Sequence, residues 1–257
     1  MDHQPAFFRN ALLRRVLVIV FWLVVWQLLA MQVNKPVLFA SPVQTFKALL
    51  SLLPKRTFWQ SAASSLLRIS AGFFLGLVLG VLIGAASWRW ASIRSLLSPL
   101  VTFMKSVPIA SFIILALVWF NSDNLAIIVS AIIVFPLMYF AMINGLASTD
   151  RSLLEMARVF RVSPVRKLSS IYRPAVLPYL FSACNSALGM SWKAGIAAEV
   201  IGTPLHSIGE QMYFSKLYLN TADLFAWTAV VLLLSLAFEK LALHLLRLTG
   251  GKYGYQN

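Results

Sequence analysis

The sequence predicts an all-α integral membrane protein with about six transmembrane helices. Of its 257 residues, 60% are hydrophobic and only 12% are charged, and the mean hydropathy is +0.79. This composition is more apolar than that of soluble globular domains. The apolar residues are also gathered into runs close to the length of about 20 residues that a helix needs to cross a bilayer core.

Six apolar runs are candidates for transmembrane helices: 16–31, 69–87, 96–120, 125–143, 177–201 and 224–246. Arg9, Arg14 and Arg15 precede the first run, and no small-residue cleavage pattern follows it. We therefore expect a retained signal anchor whose amino terminus stays in the cytoplasm.

The basic residues support a topology that alternates from a cytoplasmic amino terminus. Four basic features then lie in the cytoplasm, as the positive-inside rule requires: Arg89, Arg94, segment 151–173 and the tail 247–252. Both termini are cytoplasmic in this topology. The basic segment 32–68 falls on the outer face, and we interpret its amphipathic part, 46–53, as an interfacial helix.

The formal net charge of +14 does not indicate nucleic-acid binding. The Lys and Arg residues cluster at the ends of apolar runs, where they act as topology signals and contact lipid headgroups. No Gly/Ser-rich linker, low-complexity tract or internal repeat divides the chain. We therefore expect one transmembrane domain over 1–257.

The sequence contains no recognisable motif for nucleotide binding, metal binding or catalysis. Gly250-Gly251-Lys252 lacks the upstream Gly and the following hydroxyl of a phosphate-binding loop, so we expect no ATP hydrolysis on this chain. Cys184 is the only cysteine, and the three histidines are scattered without ligand spacing. We expect no metal site, no bound cofactor and no catalytic residue.

The second apolar run carries a glycine every four residues: Gly72, Gly76, Gly80 and Gly84. Such a stripe forms a groove along one side of a helix and lets another helix approach closely in lipid. The approaching helix could belong to the same chain or to a second copy.

The third run contains a charged residue beside a proline, in Lys105-Ser106-Val107-Pro108. Pro108 removes a backbone donor and kinks the helix. Lys105 lies about 13 Å into the run at 1.5 Å per residue, near the bilayer midplane, so it faces protein or water. It is either a cationic contact on a translocation pathway or a structural lysine that snorkels or caps freed carbonyls.

The fifth run raises the same question in Ser191-Trp192-Lys193. Lys193 and Glu199 are six residues apart on a helix, which places them on different faces. We expect Glu199 to cap or pair near the outer end of this run instead.

A polar segment, 148–179, separates the fourth and fifth runs. Residues 153–162 favour a short helix with Asp150 or Thr149 as N-cap, and Pro164 disfavours helix at Ser163.

Met156, Val159 and Phe160 lie near one side of this short helix, and Arg158 and Arg161 near another. The helix suits docking into a cleft of a soluble partner; attraction of a basic loop to anionic lipid is the alternative. The residues that would contact such a partner are Glu155, Met156, Ala157, Arg158, Arg161 and Ser163.

This segment resembles the cytoplasmic loop of ABC importer permeases, with the pattern Glu-Ala-Ala, a later Gly, and Ile-x-Leu-Pro. Glu155, Ala157, Ile171 and Pro174 match in register; Met156 replaces the first Ala, Arg161 the Gly and Arg173 the Leu. Further similarity to the nitrate/sulfonate/taurine branch lies in Ser64-Ser65-Leu66-Leu67-Arg68, Ala71-Gly72-Phe73, the Lys105 element, Ala187-Leu188-Gly189 with Trp192, and Ala198-Glu199.

The resemblance implies a type I importer permease (MetI-like) architecture in the bacterial cytoplasmic (inner) membrane. It implies two permease subunits, two cytoplasmic ATPases that bind ATP and Mg²⁺, and an extracytoplasmic binding protein. We expect the two permease subunits to form a symmetric homodimer, with a related second permease as the alternative. Segment 148–179 would be the coupling loop. The substrate would be a small anion, such as a sulfonate, taurine or nitrate; a vitamin or pyrimidine precursor is the alternative.

The candidate pathway residues are Lys105, Ser106, Pro108, Ser191, Trp192, Lys193 and Glu199. A secondary transporter would be expected to carry acidic coupling residues near the midplane, and the first four runs carry none. An importer driven by a separate ATPase is therefore favoured.

Overall fold

The computed structural model describes the backbone of residues 11–250 and the side chains of residues 13–244. All regular structure in that part of the chain is helical. The helices are α1 (Ala11–Val33), α2 (Pro42–Leu52), α3 (Arg56–Arg89), α4 (Ala91–Ser106), α5 (Ile109–Trp119), α6 (Ser122–Ala147), α7 (Arg151–Val159), α8 (Pro164–Lys167), α9 (Arg173–Gly202), α10 (Ile208–Leu217) and α11 (Thr221–Gly250), with a π-helical turn at Leu168–Tyr172 before α9.

Four helical segments are long and apolar enough to cross a membrane: Leu13–Val33, Arg56–Arg89, Ser122–Ala147 and Thr221–His244. The pair α4 and α5 adds a fifth candidate if it is counted as one broken span. The predicted run 177–201 lies within α9, which is long enough at 30 residues but is not among these candidate spans. Residues 1–10 and 251–257 lie outside the described residues, so the cytoplasmic placement of the termini stays a prediction.

Segment 32–68 is more helical than the sequence pattern suggested. Helix α3 starts at Arg56, well before the predicted start at residue 69, and is 34 residues long. The predicted amphipathic helix is present as α2, which starts at Pro42. Ser41 and Gln44 form a capping box at its first turn: Ser41 Oγ accepts from Gln44 N at 3.2 Å, and Ser41 N donates to Gln44 Oε1 at 2.9 Å.

The third predicted span is broken at Pro108 rather than kinked. Helix α4 ends at Ser106, Val107 and Pro108 are extended, and α5 leaves at an angle of 111° to α4. The prediction of one continuous helix over 96–120 was therefore wrong. The cause is local, because a proline both lacks an N–H and excludes the residue before it from the helical region.

Three long helices form the centre of the molecule, two parallel and one antiparallel to them. Gly72 of α3 lies against Ser130 of α6, and Gly84, further along α3, lies against Met142, further along α6. Helices α3 and α6 therefore run in the same direction. Helix α9 runs the opposite way, since Ser191 lies beside Ser130 near one end of α6 and Val176 lies beside Gly145 near the other.

The glycine stripe is the contact between α3 and α6. All four glycines are buried, and a Cβ on any of them would meet α6. A Cβ on Gly76 would lie 2.8 Å from Val134 Cβ, and one on Gly84 would lie 2.9 Å from Met142 Cβ. The structure thus places the partner helix within the same chain.

Aromatic side chains attach α11 to this centre. The Phe58 and Trp227 rings stack with centroids 5.1 Å apart, and Phe73 meets Phe238 edge to face at 5.6 Å. Helix α1 has far fewer buried residues; its Trp26 donates a hydrogen bond from Nε1 to the Ala40 carbonyl at 3.0 Å.

We predict that Gly80→Ala destabilises the protein, because the new Cβ would lie 2.5 Å from Met138 Cβ and 2.7 Å from the Phe135 carbonyl oxygen. The expected loss is about 1–3 kcal/mol of unfolding free energy, as for other overpacked sites. Gly189→Ala is the matched control: nothing lies within 4 Å of its added Cβ, and helix propensity favours Ala by about 1 kcal/mol. Thermal unfolding of both variants in detergent measures the difference, and equal melting temperatures would contradict the prediction.

Candidate functional site

Helix α7 forms the middle of the segment between α6 and α9. Asp150 is its N-cap and accepts a hydrogen bond from Ser152 N at 2.8 Å, which confirms one of the two predicted caps. The helix spans Arg151–Val159, so it ends three residues before the predicted end at Val162. Pro164 is the first residue of α8 and Ser163 is extended, as the proline predicts.

The early end of α7 has its cause in the backbone of Arg161. Arg161 has φ 49°, in the left-handed region. The amide of Arg161 donates to the Arg158 carbonyl at 3.1 Å, and that of Val162 to the Ala157 carbonyl at 2.9 Å, the two bonds of a Schellman motif. Glycine is the residue best suited to this position, and arginine adopts it at a cost of about 1–2 kcal/mol.

The outward face of α7 combines apolar and charged side chains. Ala157 is fully buried, so the opposite side of the helix points away from the rest of the chain. Exposure there is 48% for Met156 and 77% for Val159, and it is 74% for Phe160 at the helix end. Glu155, Arg158 and Arg161 are also exposed. We name Glu155, Met156, Arg158, Val159, Phe160 and Arg161 the coupling surface.

The predicted pathway residues fall into two groups in the structure. Four are exposed: Lys105, Ser106 and Pro108 at the break between α4 and α5, and Lys193 on α9. Three are buried: Ser191, Trp192 and Glu199. In this chain the interior group packs against other helices, so its contact with a substrate stays a prediction.

The two lysines stand at different heights along α6. Lys105 Nζ lies 4.9 Å from the centroid of the Phe140 ring, in the half of α6 nearer its carboxyl end. Lys193 follows Ser191, whose carbonyl accepts from Ser130 Oγ at 3.1 Å in the other half of α6. In the predicted topology Lys193 is thus the outer of the two.

Trp192 and Ser191 belong to the packed core. Trp192 is 1% exposed, and its ring centroid lies 6.1 Å from that of Phe238. Ser191 Oγ donates to the Leu188 carbonyl at 2.9 Å within its own helix. Their positions on α9 face the other helices of the same chain.

Glu199 joins three elements through one oxygen. Glu199 Oε2 accepts from Ser65 Oγ of α3 at 2.6 Å and from Gly209 N of α10 at 3.2 Å. Ser65 Oγ in turn accepts from Ile208 N at 2.9 Å. A carboxylate at the first turn of a helix satisfies free N–H groups and interacts favourably with the helix dipole. Glu199 therefore accepts a hydrogen bond from the first turn of α10, whose N-cap is Ser207, as expected of a residue that caps or pairs near this end of α9.

A second polar contact, missed by the sequence reasoning, holds the same end of the helices together. Arg68 of α3 and Asp123 at the start of α6 form an ion pair at 2.9 Å. Arg68 Nη1 and Nη2 also lie 3.5 Å and 3.4 Å from the Leu205 carbonyl, in the turn between α9 and α10. No local spacing could have indicated this pair, because its members are 55 residues apart.

A family model now supplies the identity that these features point to. The model described as binding-protein-dependent transport system inner membrane component matches residues 76–247, which include α7 and the helices around it. The chain belongs to this family. The match confirms the permease resemblance drawn from the sequence and places the protein as an inner membrane component of a transport system.

Individual relatives point to the predicted branch. The chain is 31% identical over 159 residues to the bicarbonate transport system permease protein of Synechococcus elongatus. The matched region covers 61% of this chain and 56% of that protein. It is 24% identical over 220 residues to the taurine transport system permease protein of Escherichia coli, 83% of this chain and 80% of that protein. A Bacillus subtilis permease named for aliphatic sulfonates transport is 28% identical over 163 residues, 63% of this chain and 59% of that protein. The chain thus spans a little over half the length of the bicarbonate relative.

We predict that Glu199→Ala destabilises the junction of α3, α9 and α10, because it leaves Ser65 Oγ and Gly209 N without their buried acceptor. The expected loss is about 2 kcal/mol of unfolding free energy. Glu199→Gln keeps an acceptor oxygen at the same place and should lose less. Thermal unfolding in detergent compares the two, with Glu155→Ala as the control that removes an exposed carboxylate. A loss for Glu199→Ala no larger than that of the control would contradict the capping role.

Proposed function

We propose that this chain is the membrane-spanning permease subunit of an ATP-driven importer for a small anion. An extracytoplasmic binding protein delivers the substrate, and separate cytoplasmic subunits bind ATP and Mg²⁺ and hydrolyse the nucleotide. Family membership supports the general assignment. The observation that carries the mechanism is the coupling surface, an exposed face of mixed character on a short, firmly capped helix.

Docking on a protein explains the coupling surface better than lipid attraction does. Met156, Val159 and Phe160 gain free energy when they are covered, at about 25 cal/mol per Å² of apolar surface removed from water. Glu155 lies on the same face, and anionic lipid would repel its carboxylate. A protein cleft with an apolar base and charged residues of both signs at its edges would complement all of these side chains. We therefore propose that the coupling surface binds the ATPase subunit.

The position of α7 in the chain fits this role. It connects the carboxyl end of α6 to the start of α9. These two helices are in extensive contact, from Gly145 beside Val176 to Ser130 beside Ser191. A force on α7 therefore acts directly on two central helices. We propose that segment 148–179 is the coupling loop of one transmembrane domain formed by residues 1–257, with both termini in the cytoplasm.

The substrate class follows from the charges and from the relatives. Lys105 and Lys193 are exposed on the single chain, and an ammonium that faces lipid near the bilayer centre costs about 3 kcal/mol on insertion scales. Water, a partner or an anionic substrate has to compensate. Relatives are named for bicarbonate, taurine and aliphatic sulfonates, which all carry an oxyanion group. We propose that this chain transports a small oxyanion.

We predict that Glu155→Ala, or a proline in place of Arg158, uncouples the transporter. Glu155→Ala removes a charge of the coupling surface, and the proline breaks α7 in its middle. Both variants should insert in the membrane but lose co-purification of the ATPase or substrate-stimulated ATP hydrolysis. Glu210→Gln, a carboxylate change on α10 near the opposite end of the helices, is the control. Normal transport with the ATPase bound in both variants would refute the assignment.

We also predict that the working complex contains two copies of this chain. One copy offers one coupling surface, which serves one ATPase, and closed symmetric pairs are the commonest protein assemblies. Native mass spectrometry of the purified complex should show two copies together with two ATPase subunits. Two different permease chains would indicate a heterodimer, and a functional complex with a single permease chain would rule out both arrangements.

A further inference from the structure

Helix α9 carries a polar face that the established contacts leave uncovered. Ser182, Asn185, Ser186 and Lys193 are exposed, and Gly189 is partly exposed. Their spacing of three and four residues places all five on one side of the helix. We name these five residues the polar track.

The polar track faces away from the rest of the chain. The other side of α9 packs on α6: Cys184 Sγ lies 3.8 Å from Met138 Sδ, and the Ser191 carbonyl accepts from Ser130 Oγ. A Cβ added to Gly189 would meet nothing within 4 Å. The side of α9 that holds the polar track is therefore open in the single chain.

Lipid is not a suitable neighbour for this face. An amide or an ammonium in the hydrocarbon region needs a hydrogen-bonding partner, which lipid tails do not provide. The exposed face of α11 shows what a lipid-facing surface of this protein looks like, since it presents Leu232, Leu236 and Leu241. The contrast between the two helices indicates that the side of α9 with the polar track does not face lipid, although Met190 at its edge is also exposed.

Lys105 lies at the height of the part of the polar track that is nearer the start of α9. Cys184, next to Asn185, contacts Met138 of α6, and Lys105 lies over Phe140 of the same helix. Lys193 lies about 12 Å from Asn185 along α9, at 1.5 Å per residue. The donors therefore form a series along α9. The Lys193 ammonium lies at one end, and the Asn185 amide lies further along the helix, at the height of the Lys105 ammonium.

Among the donors in this series, the Asn185 side chain is the one that is free to donate a hydrogen bond to a ligand. Its amide carries two N–H donors and makes no hydrogen bond to any residue in the described part of the chain. Ser186 Oγ, by comparison, lies 3.4 Å from the Ser182 carbonyl and is turned to its own helix. A hydrated oxyanion that passes along α9 from Lys193 meets Asn185 at the height of Lys105.

We propose that the polar track lines the water-filled route of the substrate, and that Asn185 is a selectivity-determining residue that donates a hydrogen bond to a passing oxyanion. The inference rests on the proposed function, in which the substrate is an anion. It adds Ser182, Asn185 and Ser186 to the pathway and assigns the open side of α9, rather than its buried residues Ser191 and Trp192, to the substrate.

Cysteine labelling tests the water-filled route without any substrate. In a Cys184→Ser background, Asn185→Cys and Gly189→Cys should react with a membrane-impermeant thiol reagent in the complex with its ATPase. Leu241→Cys is the control: Trp192 contacts Phe238, so Leu241 lies at about the depth of Gly189 but on the apolar face of α11. Labelling of both α9 positions at least tenfold faster than position 241 is expected. Protection of both in every nucleotide state would overturn the proposal.

Transport by Asn185 variants tests the anion contact. Asn185→Asp has the same shape but repels an anion, so uptake of taurine, bicarbonate or nitrate should fall by at least about tenfold, the effect of one lost hydrogen bond to a charged group. Asn185→Gln keeps the donors and should retain most uptake, and all variants should keep wild-type abundance and melting temperature. Wild-type uptake by Asn185→Asp would overturn the selectivity role. If the wild type imports none of the three anions while position 185 is labelled, the oxyanion assignment fails and the water-filled route stands.

Discussion

The close approach of α3 and α6 is the constraint on which the rest of the structure depends. Hydrophobicity drives no association between helices in lipid, so backbones have to meet closely enough for dispersion and packing to hold them. The glycine stripe provides that approach along Gly72–Gly84, over about 18 Å at 1.5 Å per residue. Because α3 and α6 run parallel, the chain between them has to return across the membrane, and the broken pair α4 and α5 makes that return.

Helices α3, α6 and α9 bury polar side chains among them, and the partners of these side chains determine the structure at the end where α9 meets α10. The side of α9 opposite the polar track packs on α6, where Ser130 Oγ donates to the Ser191 carbonyl. Glu199 then occupies the place where α3, α9 and α10 converge. Its two hydrogen bonds, together with that of Ile208 to Ser65, make the position of α10 a consequence of the α3–α9 contact.

The sequence revealed what local rules control and missed what only the folded chain brings together. The glycine period, the Asp150 cap and the stop before Pro164 depend on neighbouring residues, and each was readable. Ser65 and Glu199 are 134 residues apart, and no spacing rule links them. The break at Pro108 was half predicted: proline gives the interruption, whereas the angle of 111° depends on where α4 and α5 find their packing on α6.

The proposed route along α9 gives a physical reason why this helix is not among the candidate spans of the described residues. A helix that meets lipid on all sides has to be apolar throughout, whereas one that meets protein on one side and water on the other can carry Ser, Asn, Lys and Glu. Helix α9 meets α6 through Cys184 and Ser191 and leaves the polar track open. Its low hydropathy and its fitness to line a route for an anion thus have the same cause.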